Sequence, residues 1–150
     1  MSDLCNPLDS VDVPVPMGML DEVSAGYKEV DGIVVSRGWH HSLADRTDDE
    51  TGIECMLSKM HIDDFVPEQT PLCEMVRIGV AYAHVLQHAL STSLLKGCFH
   101  VIVSASAEED ESIGNTCVLR FHRLRLGQVW LVDDLEAYKQ PIITLEFCLD

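Results

Sequence analysis

An α+β fold, with an antiparallel sheet of about three to five strands and a long central helix packed on one face, is predicted by three features of the sequence. From Thr70 to about Leu95, apolar residues (Leu72, Met75, Val76, Val80, Ala83, Leu86, Leu90, Leu94) recur at the 3.6-residue period of a helix. Three later segments alternate apolar and polar residues with the two-residue period of a half-buried strand. Turn residues separate these segments, which favours strands paired antiparallel.

Taken in order, residues 1–20 hold Pro7, Pro14 and Pro16 among alternating valines, a density of proline that predicts an extended arm. Gly26 and Asp31-Gly32 are turn signals around a short strand, Ile33 to Val35. Arg37 to Thr51 is polar and reads as a surface loop, and Ile53 to Phe65 has the spacing of a short amphipathic helix. For the long helix, Thr70 suits the N-cap, Pro71 the first turn and Glu74 the positive end of the helix dipole; Gly97 supplies the stop. Gly79 within it predicts close packing on a neighbour. The strands follow: Phe99 to Ala105, Cys117 to His122, and Ile143 to Leu149 after Pro141, with His100, Arg120, His122 and Glu146 on one polar sheet face. Leu126-Gly127-Gln128 is a turn, Val129 to Val132 a short apolar run, and Asp133 an N-cap.

The 150 residues suit a single domain, with 47% hydrophobic residues for its core. Charge is the outstanding property. Against 10 lysines and arginines stand 25 acids, a formal net charge of −15. Residues 1–70 hold 15 acidic and 4 basic side chains, a net of −11, and residues 71–150 hold 10 and 6, a net of −4. Such a field repels nucleic acid and anionic membranes and attracts basic proteins. Direct nucleic-acid binding and membrane binding are therefore disfavoured, and a basic protein partner is expected. Six cysteines, at 5, 55, 73, 98, 117 and 148, form no C-x-x-C pair, and the opening Met1 to Leu4 has neither a basic nor an apolar region. A cytoplasmic protein with reduced, mostly buried thiols is expected.

Chemistry finds little purchase. The chain has no G-x-S-x-G elbow, P-loop, G-x-G-x-x-G fingerprint or H-E-x-x-H helix, so a non-enzyme without a cofactor is expected. His84 and His88, four apart on one helix face, have the spacing of a metal pair, with third ligands conceivable from His100 or His122. Two histidines at that spacing more often mark a solvent edge, and no metal is expected. Cys98 and His100 alternate onto one strand face, but nothing nearby would lower the thiol pKa, so a structural cysteine is expected there.

Three acidic clusters carry more information: Asp45, Asp48, Asp49 and Glu50; Glu108, Glu109, Asp110 and Glu111; Asp133, Asp134 and Glu136. None has the calcium-loop spacing. As a surface they would steer a basic partner, and Trp39, Trp130 and Tyr138 beside them would serve as aromatic anchors. These acids and Trp130 are the expected partner-binding residues. With the run Val129-Trp130-Leu131-Val132-Asp133-Asp134-Leu135-Glu136-Ala137-Tyr138 and its proline-led strand, the acidic chain resembles the bacterial immunity proteins of contact-dependent growth inhibition systems. The resemblance implies an inhibitor that neutralises a cognate toxin, commonly a nuclease with a basic substrate groove. Rival readings are an acidic nucleic-acid mimic that inhibits a DNA-binding protein, a small metal- or ligand-binding domain using the histidines, and an accessory subunit.

Overall fold

The structure, a computed structural model, describes residues 12–41, 43, 49–107, 114–128 and 140–150. A helix α1 (Met17–Ser24) leads into the antiparallel hairpin β1 (Tyr27–Val30) and β2 (Ile33–Ser36), closed by Asp31-Gly32. Both turn residues have positive φ, 52° and 80°, the left-handed pair that a two-residue hairpin requires and that Asp and Gly tolerate. Helix α2 (Glu50–Leu57), the two-residue strand β3 (Met60–His61) and a 3-10 turn (Ile62–Phe65) precede the long helix α3 (Leu72–Thr92). Strands β4 (Gly97–Ser106), β5 (Thr116–Arg123) and β6 (Ile142–Leu149) complete the described elements. The main sheet has the order β3-β5-β4-β6 and is antiparallel throughout. It has four strands and a long helix on one face, as the periodicities predict.

The core forms where the apolar stripe of α3 meets the inward face of the sheet. Met75, Ile78, Tyr82, Leu86 and Leu90 pack against Phe99, Val101, Val103, Leu119 and Phe121, all buried. Gly79 lets them approach: a Cβ there would lie 2.9 Å from both Ile62 Cδ1 and Val103 Cγ1. The Val103 methyl, fixed by a β-branched side chain in a central strand, has little room to give. Gly79→Ala should therefore lose stability by about 1 kcal/mol, because overpacking of about 1–3 kcal/mol outweighs the helix-propensity gain. Urea denaturation of the variant measures this.

One edge of the sheet is closed by side chains. The outward N–H groups of alternate β5 residues would be unpaired where β3 ends, and such groups need partners. Cys117 N–H donates to Asp63 Oδ1 (2.9 Å), Phe121 N–H to Ser58 Oγ (2.9 Å), and Arg123 N–H to Glu54 Oε2 (2.7 Å). Ser58 Oγ donates in return to the Phe121 carbonyl (2.9 Å). The segment 54–63 thus acts as a partner strand built largely from side chains.

Glu54 is the centre of this closure. It is fully buried, and besides Arg123 it accepts from Val34 N–H (2.7 Å) and from both terminal nitrogens of Arg125 (2.6 and 2.9 Å). One carboxylate thereby joins β2, α2, β5 and the segment after β5. Burial alone would lower the Arg125 pKa, but the hydrogen bonds and charge of Glu54 outweigh it and raise the pKa overall.

Several expectations are corrected. Residues 17–20 belong to α1, because Pro16 stands just before the helix, where its missing N–H breaks no helical bond, and no proline follows inside it; residues 1–11 of the expected arm lie outside the described residues. The cap of α3 is Pro71, not Thr70, with no side-chain cap bond, and the helix ends at Thr92, short of the expected end near Leu95, with Leu94 in the left-handed region (φ 60°). The predicted 53–65 helix is shorter and is followed by β3, since β5 offers an edge to pair. His122, expected on an exposed polar face, is buried. Cys98 and Cys148 form a disulfide across the β4–β6 pair, and Cys73 is disulfide-bonded too, against the expectation of reduced thiols. Strand register brings 98 opposite 148, and register was not readable from the spacing of the cysteines.

Candidate functional site

Acidic residues dominate the exposed surface. Eleven of the fourteen described Asp and Glu residues are exposed, whereas five of the eight described Lys and Arg residues are partly buried. Many of the basic groups are held by internal contacts. Lys28 Nζ donates to the Trp39 carbonyl (2.9 Å), Arg37 Nε to the Tyr27 carbonyl (3.1 Å), Arg123 pairs with Glu29 (2.8 Å) and Arg125 with Glu54. The visible surface is therefore more acidic than the composition alone requires.

Of the expected partner-binding residues, Asp49 and Glu50 lie within the described part, at the start of α2. Asp49 caps that helix, its Oδ1 accepting from Gly52 N–H (2.9 Å), and remains exposed. Glu50 Oε2 accepts from Gln128 Nε2 (2.5 Å), and Gln128 Oε1 accepts from the Thr51 hydroxyl (2.8 Å) and N–H (3.1 Å). The start of α2 is thus anchored to the turn after β5. Asp45, Asp48, Glu108, Glu109, Asp110, Glu111, Trp130, Asp133, Asp134 and Glu136 lie outside the described residues.

The four histidines with candidate metal spacing, of seven in the chain, separate into two groups. His84 and His88 are both exposed on α3. His100 and His122 lie on the sheet face opposite α3, so the structure does not bring the two pairs together, and no cluster of three metal-binding side chains occurs among the described residues. His122 Nδ1 lies 2.9 Å from the Arg123 carbonyl, which can only accept, so Nδ1 carries the proton. His122 Nε2 lies 3.3 Å from His100 Nδ1. Burial holds His100 below its ordinary pKa of 6.5; His122 pushes the same way and Glu146, opposite on β6, opposes. With the folded pKa depressed, the unfolded chain takes up the proton first. This contribution to stability is whole above about pH 6.5 and is lost as pH falls through the lower folded value. The urea midpoint should drop between pH 7.5 and 5, and less steeply in His100→Gln.

The buried free thiols of Cys55 and Cys117 are both pushed up to about 12, chiefly by burial, which leaves them unreactive near neutral pH. Cys98 is tied up in its disulfide and has no thiol for the nucleophile arrangement with His100.

A cavity of about 290 Å³ opens between α1, the β1–β2 hairpin, the 3-10 turn and α3. Its floor is buried and largely apolar, formed by Tyr27, Val34, Tyr82, Leu86, Leu119 and Phe121. Burial raises the pKa of both Tyr27 and Tyr82, so both phenols stay neutral. Glu22, Lys59 and Asp64 are exposed around the rim, with His61 and Trp39 half-buried beside them. Trp39 Nε1 is buried and has no hydrogen-bond partner among the described residues. Reading the sequence marked Trp39 as an aromatic beside acids; nothing in it placed Tyr27 and Tyr82, 55 positions apart, on a shared cavity floor.

A family model described as the Uncharacterized protein PM0498 family matches residues 7–148. No curated protein and no solved structure matches the chain. The chain belongs to the PM0498 family.

Proposed function

We propose that this family member is a binding protein that captures a basic protein partner through its acidic surface, and that the partner is a cognate bacterial toxin with a nuclease-type groove. The observation that carries the reading is the sorting of charge: exposed carboxylates against partly buried, internally engaged cations, in a chain of net charge −15. An acidic face can occupy a cleft built for phosphates, and complementary charge speeds capture before the toxin acts. Aromatic side chains beside the acids supply the desolvated contacts that charge alone does not.

The test is co-expression with the product of an adjacent toxin-like gene. A one-to-one complex should form, its association slowing as salt rises through the range where the Debye length falls from about 30 to 8 Å. The toxin's activity should be suppressed in the complex. Absence of a complex at low salt, or a complex that leaves the toxin active, would sink the reading.

A further inference from the structure

We infer that the cavity between α1, the β1–β2 hairpin and α3 is a receptor for a single cationic side chain, an arginine or lysine of the basic partner, with its aliphatic stem along the walls and its charged tip over the Tyr27–Tyr82 hydroxyls. This deepens the reading of the chain as a binder of a basic protein and rests on it for the source of the side chain.

Size is the first argument. At about 290 Å³ the cavity lies at the lower end of small-molecule pockets, with room for one long side chain and not for a helix. Chemistry is the second. Tyr27, Trp39, Phe65, Tyr82 and Phe121 line it, a concentration of π faces that attracts an ammonium or guanidinium once water is excluded. Both phenol oxygens carry lone pairs that can accept from a cation's N–H groups. Taking a cation out of water is costly, and these acceptors and ring faces are what offset it.

Charge placement is the third. Glu22 and Asp64 stand exposed on the rim, so two carboxylates face an incoming cation. Lys59 and His61 share the rim and disfavour a cation at their own level. A long stem carries the charge past them to the floor. An anionic tip would be repelled by the two rim carboxylates.

The experiment titrates the whole protein with Nα-acetyl-arginine N-methylamide and its lysine counterpart, following the two tryptophan indole N–H resonances by NMR. Trp39→Phe assigns the Trp39 signal. A saturable shift of the Trp39 resonance in the millimolar range is expected for the cationic probes and not for the neutral citrulline analogue. Glu22→Gln, at an exposed position that does not threaten folding, should weaken binding about threefold or more. Tyr82→Phe, verified as folded by its melting curve, should weaken it further. Equal binding of the citrulline analogue, indifference to Glu22→Gln, or no saturable shift overturns the inference. The two readings fail separately. A toxin complex unaffected by Glu22→Gln and Tyr82→Phe leaves the inhibitor standing without this anchor; binding of the probes without any toxin complex leaves the cation pocket standing without that partner.

Discussion

Glu54→Ala is expected to lose about 3–5 kcal/mol of folding stability, a large share of the roughly 5–15 kcal/mol that a domain has in total. The size follows from what the carboxylate holds. Removing it leaves the Arg125 guanidinium with only the Gly32 and Arg123 carbonyls and no counter-charge there, and leaves the N–H groups of Val34 and Arg123 without acceptors, three losses from one truncation. A buried ion pair can often be exchanged for apolar residues at little cost, because two desolvation penalties vanish together. Here that exchange should fail. In Glu54→Leu/Arg125→Met the two backbone donors remain unpaired, so the double variant should still lose about 2 kcal/mol or more. Glu54→Gln tests the same point more finely, since the amide nitrogen would face donors on one side. Urea denaturation of the three variants measures the order. If the double leucine–methionine variant matched the parent, the carboxylate would be acting only as a counter-ion, and the account of it as a backbone acceptor would be wrong.

The same contrast explains what could be read from the sequence. Periodicity announced α3, β4, β5 and β6, because each buries one face against a core and so must repeat with the period of its backbone. It was silent on β3 and on the closure of the β5 edge, where Asp63, Ser58 and Glu54 serve as hydrogen-bond partners. Polar residues at such spacing look like a solvated surface until the strand beside them is known. His122 was misplaced for a related reason: alternation marks two faces of a strand but does not say that both are covered. The acidic character of the surface was legible from composition, yet the inward commitment of Lys28, Arg37, Arg123 and Arg125 was not. The cavity was hidden entirely, since its floor draws on residues from 27 to 121 that only the tertiary fold assembles.

Replacing the Cys98–Cys148 disulfide by serines should cost about 4 kcal/mol, from the loop-closure entropy returned to the unfolded chain for a sequence separation of 50. The loss should not be spread evenly. Among the described residues β6 pairs only with β4, and its side chains are half-buried or exposed rather than deep in the core. The disulfide sits one pair from the end of that ladder, beside Phe99–Phe147, whose stacked rings are 5.8 Å apart. Without the covalent tie, the last pairs of β6 are free to open and expose Phe147, and amide exchange should rise there before it rises in α3. The serine pair isolates this bridge, whereas a reductant would also break the disulfide of Cys73. Alkylation under denaturing, non-reducing conditions provides the independent check. Cys55 and Cys117 should be modified, having been protected only by burial, while Cys98 and Cys148 should not. Modification of all four, or a serine variant as stable as the parent, would show that the strands hold β6 without the bridge. The fold's most lightly packed strand would then owe its place to backbone pairing and the partial burial of Ile143, Leu145 and Phe147 alone.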